Sequence, residues 1–164
     1  MWDQINQEAK LLYNNCSKNK IFVTTAESCT GGMIASSIVS VSGSSNIFKS
    51  SFVTYSNQMK TKLLNIPPQI IEINGAVSEV VAKNMAMNIL NILDSDISIA
   101  VTGIAGPGGG SKDKPVGLVW IGIGKQSSTI TKKYLFNGNR LKIRQKTTLE
   151  ALKLANFVIN NKKI

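Results

Sequence analysis

Histidine is absent from the chain. That gap removes Ser-His-Asp and Cys-His catalysis, imidazole acid–base work and every histidine-ligated metal site. Proton transfer at a reacting centre, if there is one, falls to Lys, Tyr, Asp, Glu or Cys. Cysteine is scarce too. Cys16 and Cys29 cannot build a structural zinc site, and their spacing matches no disulfide framework, so both are expected as reduced thiols. With no ligand cluster at metal spacing, no metal and no other cofactor is expected. No apolar run approaches the length of a membrane span. The opening segment, MWDQINQEAKLLYNN, lacks the apolar centre and small-residue cleavage site of a signal peptide, so a cytoplasmic location and no membrane partner are expected.

Charge of one sign is also short: nine acids stand against 19 Lys and Arg, a formal balance of +10. Such a balance invites a nucleic-acid reading, because clustered cations release counterions from phosphates. The lysines, however, are scattered, with only a small group at Lys162 and Lys163, and aromatics at 6% offer few stacking platforms. The chain is rich in Lys, Asn and Ile, as an AT-rich coding sequence would make it, and no nucleic-acid partner is expected. Arginine occurs only at Arg140 and Arg144, four residues apart. With few acids nearby, an anionic ligand is the better partner for them than an ion pair.

The 164 residues suffice for one domain with one sizeable core. Hydrophobic periodicity predicts helices over residues 2–19, 30–41 and 78–93, the last with Ser78 as N-cap, and over 139–161. A short helical piece is expected at QMKTKLLN and another turn at IPPQIIEI. Strands are expected over 21–26, 51–56, 97–103, 116–124 and 128–136, the last two as a hairpin. Helices alternating with strands, closed by a hairpin, predict a three-layer α/β/α sandwich with a mixed sheet.

The polar motifs fall at strand ends. AESCTGG leaves the first strand, TYSNQMK the second and TGIAGPGGG the third, where ligands bind in open α/β sheets. NGNRLKIR follows the hairpin and should share a sheet edge with the glycine-rich loop. Each motif alone has a plain structural reading: Ser28 or Thr30 as a helix cap, Gly31 and Gly32 as a close helix–sheet contact, Lys60 as a solvated lysine, Tyr55 as strand filler. The loop GPGGG lacks the ending of a P-loop. Four such motifs on one side favour a site.

AESCTGG, GSSNIF, FVTYSNQMK, GAVSE, VTGIAGPGGG, KPVGLVWIG and GNR…IR, in that order, resemble the CinA C-terminal domain family over about Ile5 to Phe157. The stand-alone members are nicotinamide-nucleotide amidases, so the resemblance implies hydrolysis of the carboxamide of nicotinamide mononucleotide to nicotinate mononucleotide and ammonia. It also implies that the pyrophosphatase-type activity of the longer members, tied to an additional N-terminal domain, is absent here. Ser50–Ser51–Phe52 stands where many relatives have Gly before the VTYSN strand, a departure expected to touch packing only.

Carried over residue by residue, the resemblance makes Ser28 the catalytic serine and Tyr55 and Lys60 its partners. A Ser–Lys pair is a known way to activate a hydroxyl without histidine, provided burial or a nearby cation lowers the lysine pKa. Tyr55 then relays the proton or holds Ser28 in its attacking rotamer. Free N–H groups near Thr30, Gly31 and Gly32 are the expected oxyanion donors. Arg140 and Arg144, helped by N–H groups of the Gly106–Gly110 loop, are the expected phosphate anchors. Gly103, Ala105 and Gly106 complete the expected substrate wall. Thr102 is placed on the carboxamide or on Ser28, and Glu27 either on a ribose hydroxyl or on Lys60. Ser28 either forms an acyl-enzyme, the preferred route, or orders a water, and Cys29 is ranked as packing. The rival readings are a non-catalytic nucleotide sensor and a competence- or DNA-damage-associated regulatory domain. The outer hairpin strand and the N-terminal helix are the candidate surfaces of a homodimer.

Overall fold

The computed structural model describes residues 1–126 and 128–161; the Lys162–Lys163 group lies outside them. Helix α1 (Trp2–Asn19) turns Ile5, Ala9, Leu12 and Cys16 inward at helical spacing, and Lys20, in the left-handed region at φ 54°, ends it. Strand β1 (Val23–Glu27) follows, then α2 (Met33–Val39), a short 3₁₀ turn at Ser44–Asn46 and β2 (Phe48–Val53). Three helices come next: α3 (Asn57–Leu64), α4 (Pro68–Asn74) and α5 (Glu79–Ile92). Then come β3 (Ile97–Gly103), the hairpin β4 (Leu118–Lys125) and β5 (Ser128–Leu135), and α6 (Arg140–Asn160).

The five strands lie in the order β2-β1-β3-β4-β5. β1 pairs parallel with β2 and β3, while β4 is antiparallel to both β3 and β5. The expected three-layer α/β/α sandwich with a mixed sheet is therefore what the chain builds. From β1 the chain first steps outward to β2, then crosses back to β3 on β1's other side. The direction of winding thus reverses at β1, where an open sheet leaves a crevice beyond its strand ends. Ser28 is the first residue past that end.

The period of two along the strands assigns the faces. Val23, Ile97, Ile99, Val101, Val119, Ile121 and Ile123 join α1, α2 and α6 in one core. Ala26 and Ala100 join α5 in the other. On that second face β4 carries Gly122, where an added Cβ would sit 2.8 Å from the Ala82 carbonyl oxygen. The missing side chain lets α5 lie close on the sheet, and Ser98 Oγ donates to the Ala86 carbonyl across the same seam at 2.6 Å.

Two elements differ from the sequence expectation by three residues, the others by at most two. β2 spans Phe48–Val53, three residues earlier than 51–56, because Thr54 N–H makes a last bond to the Glu27 carbonyl and Ser56 then caps α3 by accepting from Met59 N–H. The apolar stretch FVTY reads as one strand but belongs half to the exit. α2 starts at Met33 rather than Thr30, because Gly31 and Gly32, at φ 59° and 91°, form a left-handed turn before it.

Candidate active site

A cleft of about 230 Å³ opens beyond the carboxyl ends of β1 and β3. Ser28 and Cys29 form its floor, Lys60 and Asn57 of α3 one side, and Ala76 and Val77 another. Thr102, Gly103 and Ala105 line it from the end of β3, and Tyr55 and Arg140 stand at its rim. A larger depression between α3 and α4, walled by Pro68 and Ile71, carries no hydrogen-bonded pair of nucleophile and base.

Ser28 is fixed through its backbone: its N–H donates to the Val101 carbonyl, and its own carbonyl accepts from Gly31 N–H, both at 3.1 Å. Its Oγ lies 3.1 Å from Lys60 Nζ. Lys60 is 1% exposed, the largest fully buried side chain among the described residues. Its second partner is the Thr54 carbonyl, 2.8 Å away, to which Nζ donates. Both partners are neutral, and among the described residues the one ion pair is Lys153–Glu150, on the α6 surface. Burial without a counter-ion pulls the Lys60 pKa from 10.5 down to about 8. A neutral lysine has two N–H groups and one lone pair; with Thr54 taking one hydrogen, the lone pair can accept the Ser28 hydroxyl proton.

Glu27 serves neither of its expected partners. The carboxylate is fully buried beneath the start of α2. Its Oε2 accepts from Thr30 Oγ1 at 2.6 Å, Gly32 N–H at 2.9 Å and Ile34 N–H at 3.1 Å; its Oε1 accepts from Ala35 N–H at 2.8 Å. Helix α2 has no cap from its own N-cap residue, Gly32, and Glu27 fills that role from the end of the preceding strand. The consequence reaches the oxyanion expectation. Gly32 N–H points at Glu27 and Gly31 N–H at Ser28, so neither faces the cleft. The N–H groups of Cys29 and Thr30 donate to no carbonyl or carboxylate among the described residues.

The two arginines separate. Arg144 donates to the Thr30 carbonyl from Nη2 at 2.6 Å and Nε at 3.2 Å, bracing the turn that carries Ser28. It is not part of the cleft wall. Arg140 is: its Nη1 donates to the Gly106 carbonyl and its Nη2 to the Tyr55 hydroxyl, both at 2.8 Å. Tyr55 is therefore held on Arg140 rather than on Ser28 or Lys60. Thr102 Oγ1 donates to the Ala76 carbonyl at 2.8 Å, holding the Ala76–Val77 wall.

Of the residues singled out in the sequence, the cleft gathers Ser28, Tyr55, Lys60, Thr102, Gly103, Ala105 and Arg140, with Gly106 tied to the rim. Glu27, Thr30, Gly31, Gly32 and Arg144 form the scaffold behind it. Asn57, Ala76, Val77 and the Thr54 carbonyl were not singled out. All four lie within quoted motifs, Thr54 and Asn57 in FVTYSNQMK and Ala76 and Val77 in GAVSE. Cys29 lies beside Ser28 on the floor, and burial pushes its thiol up to about 12, so it stays neutral. No group of three or more Cys, Asp or Glu among the described residues could hold a metal ion.

The family model of the CinA C-terminal domain matches residues 5–159. The chain belongs to the CinA C-terminal domain family. A CinA-like protein of Endomicrobium trichonymphae is 50% identical over 137 residues, covering 84% of this chain and 32% of its own length. One of Prochlorococcus marinus MIT 9515 is 48% identical over 136 residues, covering 82% and 31%. This chain thus spans about a third of the length of the curated relatives it matches. Among solved structures, the competence/damage inducible protein CihA of Agrobacterium tumefaciens has 35% identity and a TM-score of 0.93, with 96% of each chain covered. A CinA superfamily protein of Escherichia coli has 33% identity and a TM-score of 0.89, covering 94% of this chain and 89% of its own. No helix among the described residues is long and apolar enough to cross a membrane.

Proposed function

We propose that this CinA domain is a serine amidase that hydrolyses the carboxamide of nicotinamide mononucleotide to nicotinate mononucleotide and ammonia. The observation that carries the reading is the buried, counter-ion-free Lys60 amine 3.1 Å from Ser28 Oγ. At a pKa of about 8, about a fifth of Lys60 is neutral at pH 7.4, against under about one in a thousand at 10.5. For a purely structural lysine the lowered pKa is a cost to stability, whereas a general base needs it.

In the mechanism, Lys60 Nζ takes the Ser28 hydroxyl proton as Oγ bonds to the amide carbon. The N–H group of Cys29, which lines the cleft beside Ser28, receives the developing oxyanion, a donor of this type being worth roughly 3–4 kcal/mol. The Lys60 ammonium returns its proton to the amide nitrogen, the C–N bond breaks and ammonia leaves. Water, deprotonated by the same lysine, then attacks the Ser28 ester, releases the nicotinate product and restores the hydroxyl. Arg140 fits the 5′-phosphate: it is a cation at the rim with no carboxylate partner among the described residues, and three of its five N–H groups remain free. Names given to relatives speak of competence and damage, and the family's fold alone does not fix an activity.

The test is ammonia release from nicotinamide mononucleotide by the wild type beside Ser28→Ala and Lys60→Met. Release by the wild type, with both folded variants near background, is the expected result. Nucleotide binding without release would replace the amidase by a sensor.

A further inference from the structure

Arg140 and Tyr55 occupy each other in a way that the amidase chemistry does not require. The phenol is 61% exposed, and its one hydrogen bond among the described residues comes from Arg140 Nη2 at 2.8 Å. The same guanidinium grips the Gly106 carbonyl from Nη1, also at 2.8 Å. Together they span the cleft mouth from the exit of β2 to the loop after β3. Every partner of the charge is neutral. A guanidinium held only by neutral acceptors exchanges them favourably for a dianion, because the phosphate brings an opposite net charge that a phenol and a peptide carbonyl lack.

We propose that Arg140 and Tyr55 form an anion-operated latch: a phosphate monoester entering the rim draws the guanidinium away from Tyr55, and the freed phenol turns toward Ser28 and Lys60. This rests on the amidase reading for its purpose, though not for its thermodynamics. It makes the phosphate a signal as well as a handle. A nucleoside amide without phosphate leaves the phenol latched and is turned over slowly even when bound, so specificity appears in kcat and not only in KM.

Linkage fixes the sign of the test. If the anion must break the Arg140–Tyr55 bond, removing the phenol's oxygen makes anion binding easier. Tyr55→Phe is therefore expected to bind inorganic phosphate more tightly than the wild type, by about threefold or more, in titrations followed by NMR at constant ionic strength. A tyrosine that simply contacts phosphate gives weaker binding in the same variant, and a bystander gives no change; either result overturns the latch. In the wild type the Tyr55 ring carbon resonance should move with the same titration, assigned by its loss in Tyr55→Phe.

The second arm uses nicotinamide riboside, which carries the amide without the phosphate. Saturating inorganic phosphate is expected to raise its turnover about tenfold in the wild type and not in Tyr55→Phe or Arg140→Ala. Normal hydrolysis of the mononucleotide with no effect of phosphate on the riboside overturns the latch and leaves the amidase standing. No hydrolysis of either substrate removes the amidase reading, and the phosphate affinities of wild type and Tyr55→Phe still decide the latch.

Discussion

Replacing Lys60 by methionine keeps a linear side chain of similar volume but removes the amine. Lys60 has a folded pKa of about 8 against an ordinary 10.5, so the unfolded chain holds its proton more tightly than the folded one. The sign follows: between those values the unfolded state binds more protons, so wild-type stability rises with pH through that window, and the full penalty applies below it. At pH 7 a shift from 10.5 to about 8 corresponds to roughly 3 kcal/mol of destabilisation, falling to about 1 kcal/mol by pH 10. Lys60→Met escapes the penalty but strips the Thr54 carbonyl of its donor, which costs about 1–3 kcal/mol at every pH. The net difference at one pH is thus small. Its pH dependence is not. Urea unfolding of both proteins at pH 7 and pH 10 should show the wild type gaining about 2 kcal/mol on the variant across that interval. Parallel curves, or a wild type that loses ground as pH rises, would refute a desolvated lysine beside Ser28.

Three further outcomes follow from the same geometry. The kcat/KM for amide hydrolysis should rise with pH through about 8, because the active form is neutral Lys60, and level off above it; a profile flat from pH 6 to 9 contradicts the base assignment. Glu27→Ala orphans three backbone N–H groups and the Thr30 hydroxyl at the start of α2, and should cost about 3 kcal/mol, lowering Tm by roughly 6–12 °C in a thermal melt. Gly122→Ala drives a Cβ to 2.8 Å from the Ala82 carbonyl and should destabilise by about 1–3 kcal/mol, whereas Gly108→Ala, with nothing within 4 Å, should stay within about 0.5 kcal/mol by chemical denaturation.

What could be read in the sequence was whatever is written locally. β3 carries β-branched residues at Ile97, Ile99, Val101 and Thr102 and is bounded by turns, and its observed span, Ile97–Gly103, is the expected one. Ser78 announces α5 as its expected N-cap, accepting from Val81 N–H, and Asn139 at the expected start of α6 accepts from Lys142 N–H in the same way. Three motifs converge because they leave strand ends and the fourth because of the hairpin, in which Leu118 does pair with Leu135 beside the glycine-rich loop. What stayed hidden depends on which neighbour a side chain meets after folding. Glu27 looks like a site carboxylate because it adjoins Ser28, yet the uncapped start of α2 captures it. The missing cap at Gly32, with no acid in the first turn of α2, was the available signal. Arg140 and Arg144 look equivalent at a spacing of four, but the helix aims one at the rim and the other at the Thr30 carbonyl. β2 lies three residues before its expected position because exit residues Thr54 and Tyr55 carry the same β-forming character as the strand before them.

Ser28 as nucleophile is tested most directly by hydroxylamine partitioning during turnover of nicotinamide mononucleotide. An ester on Ser28 is intercepted by hydroxylamine, so nicotinohydroxamate mononucleotide should form at the expense of nicotinate mononucleotide while ammonia release continues. Acid-quenched wild-type protein should carry the acyl group on the peptide containing Ser28, and Ser28→Ala should give neither product. Steady ammonia release with no hydroxamate and no labelled peptide would contradict the covalent Ser28–Lys60 mechanism.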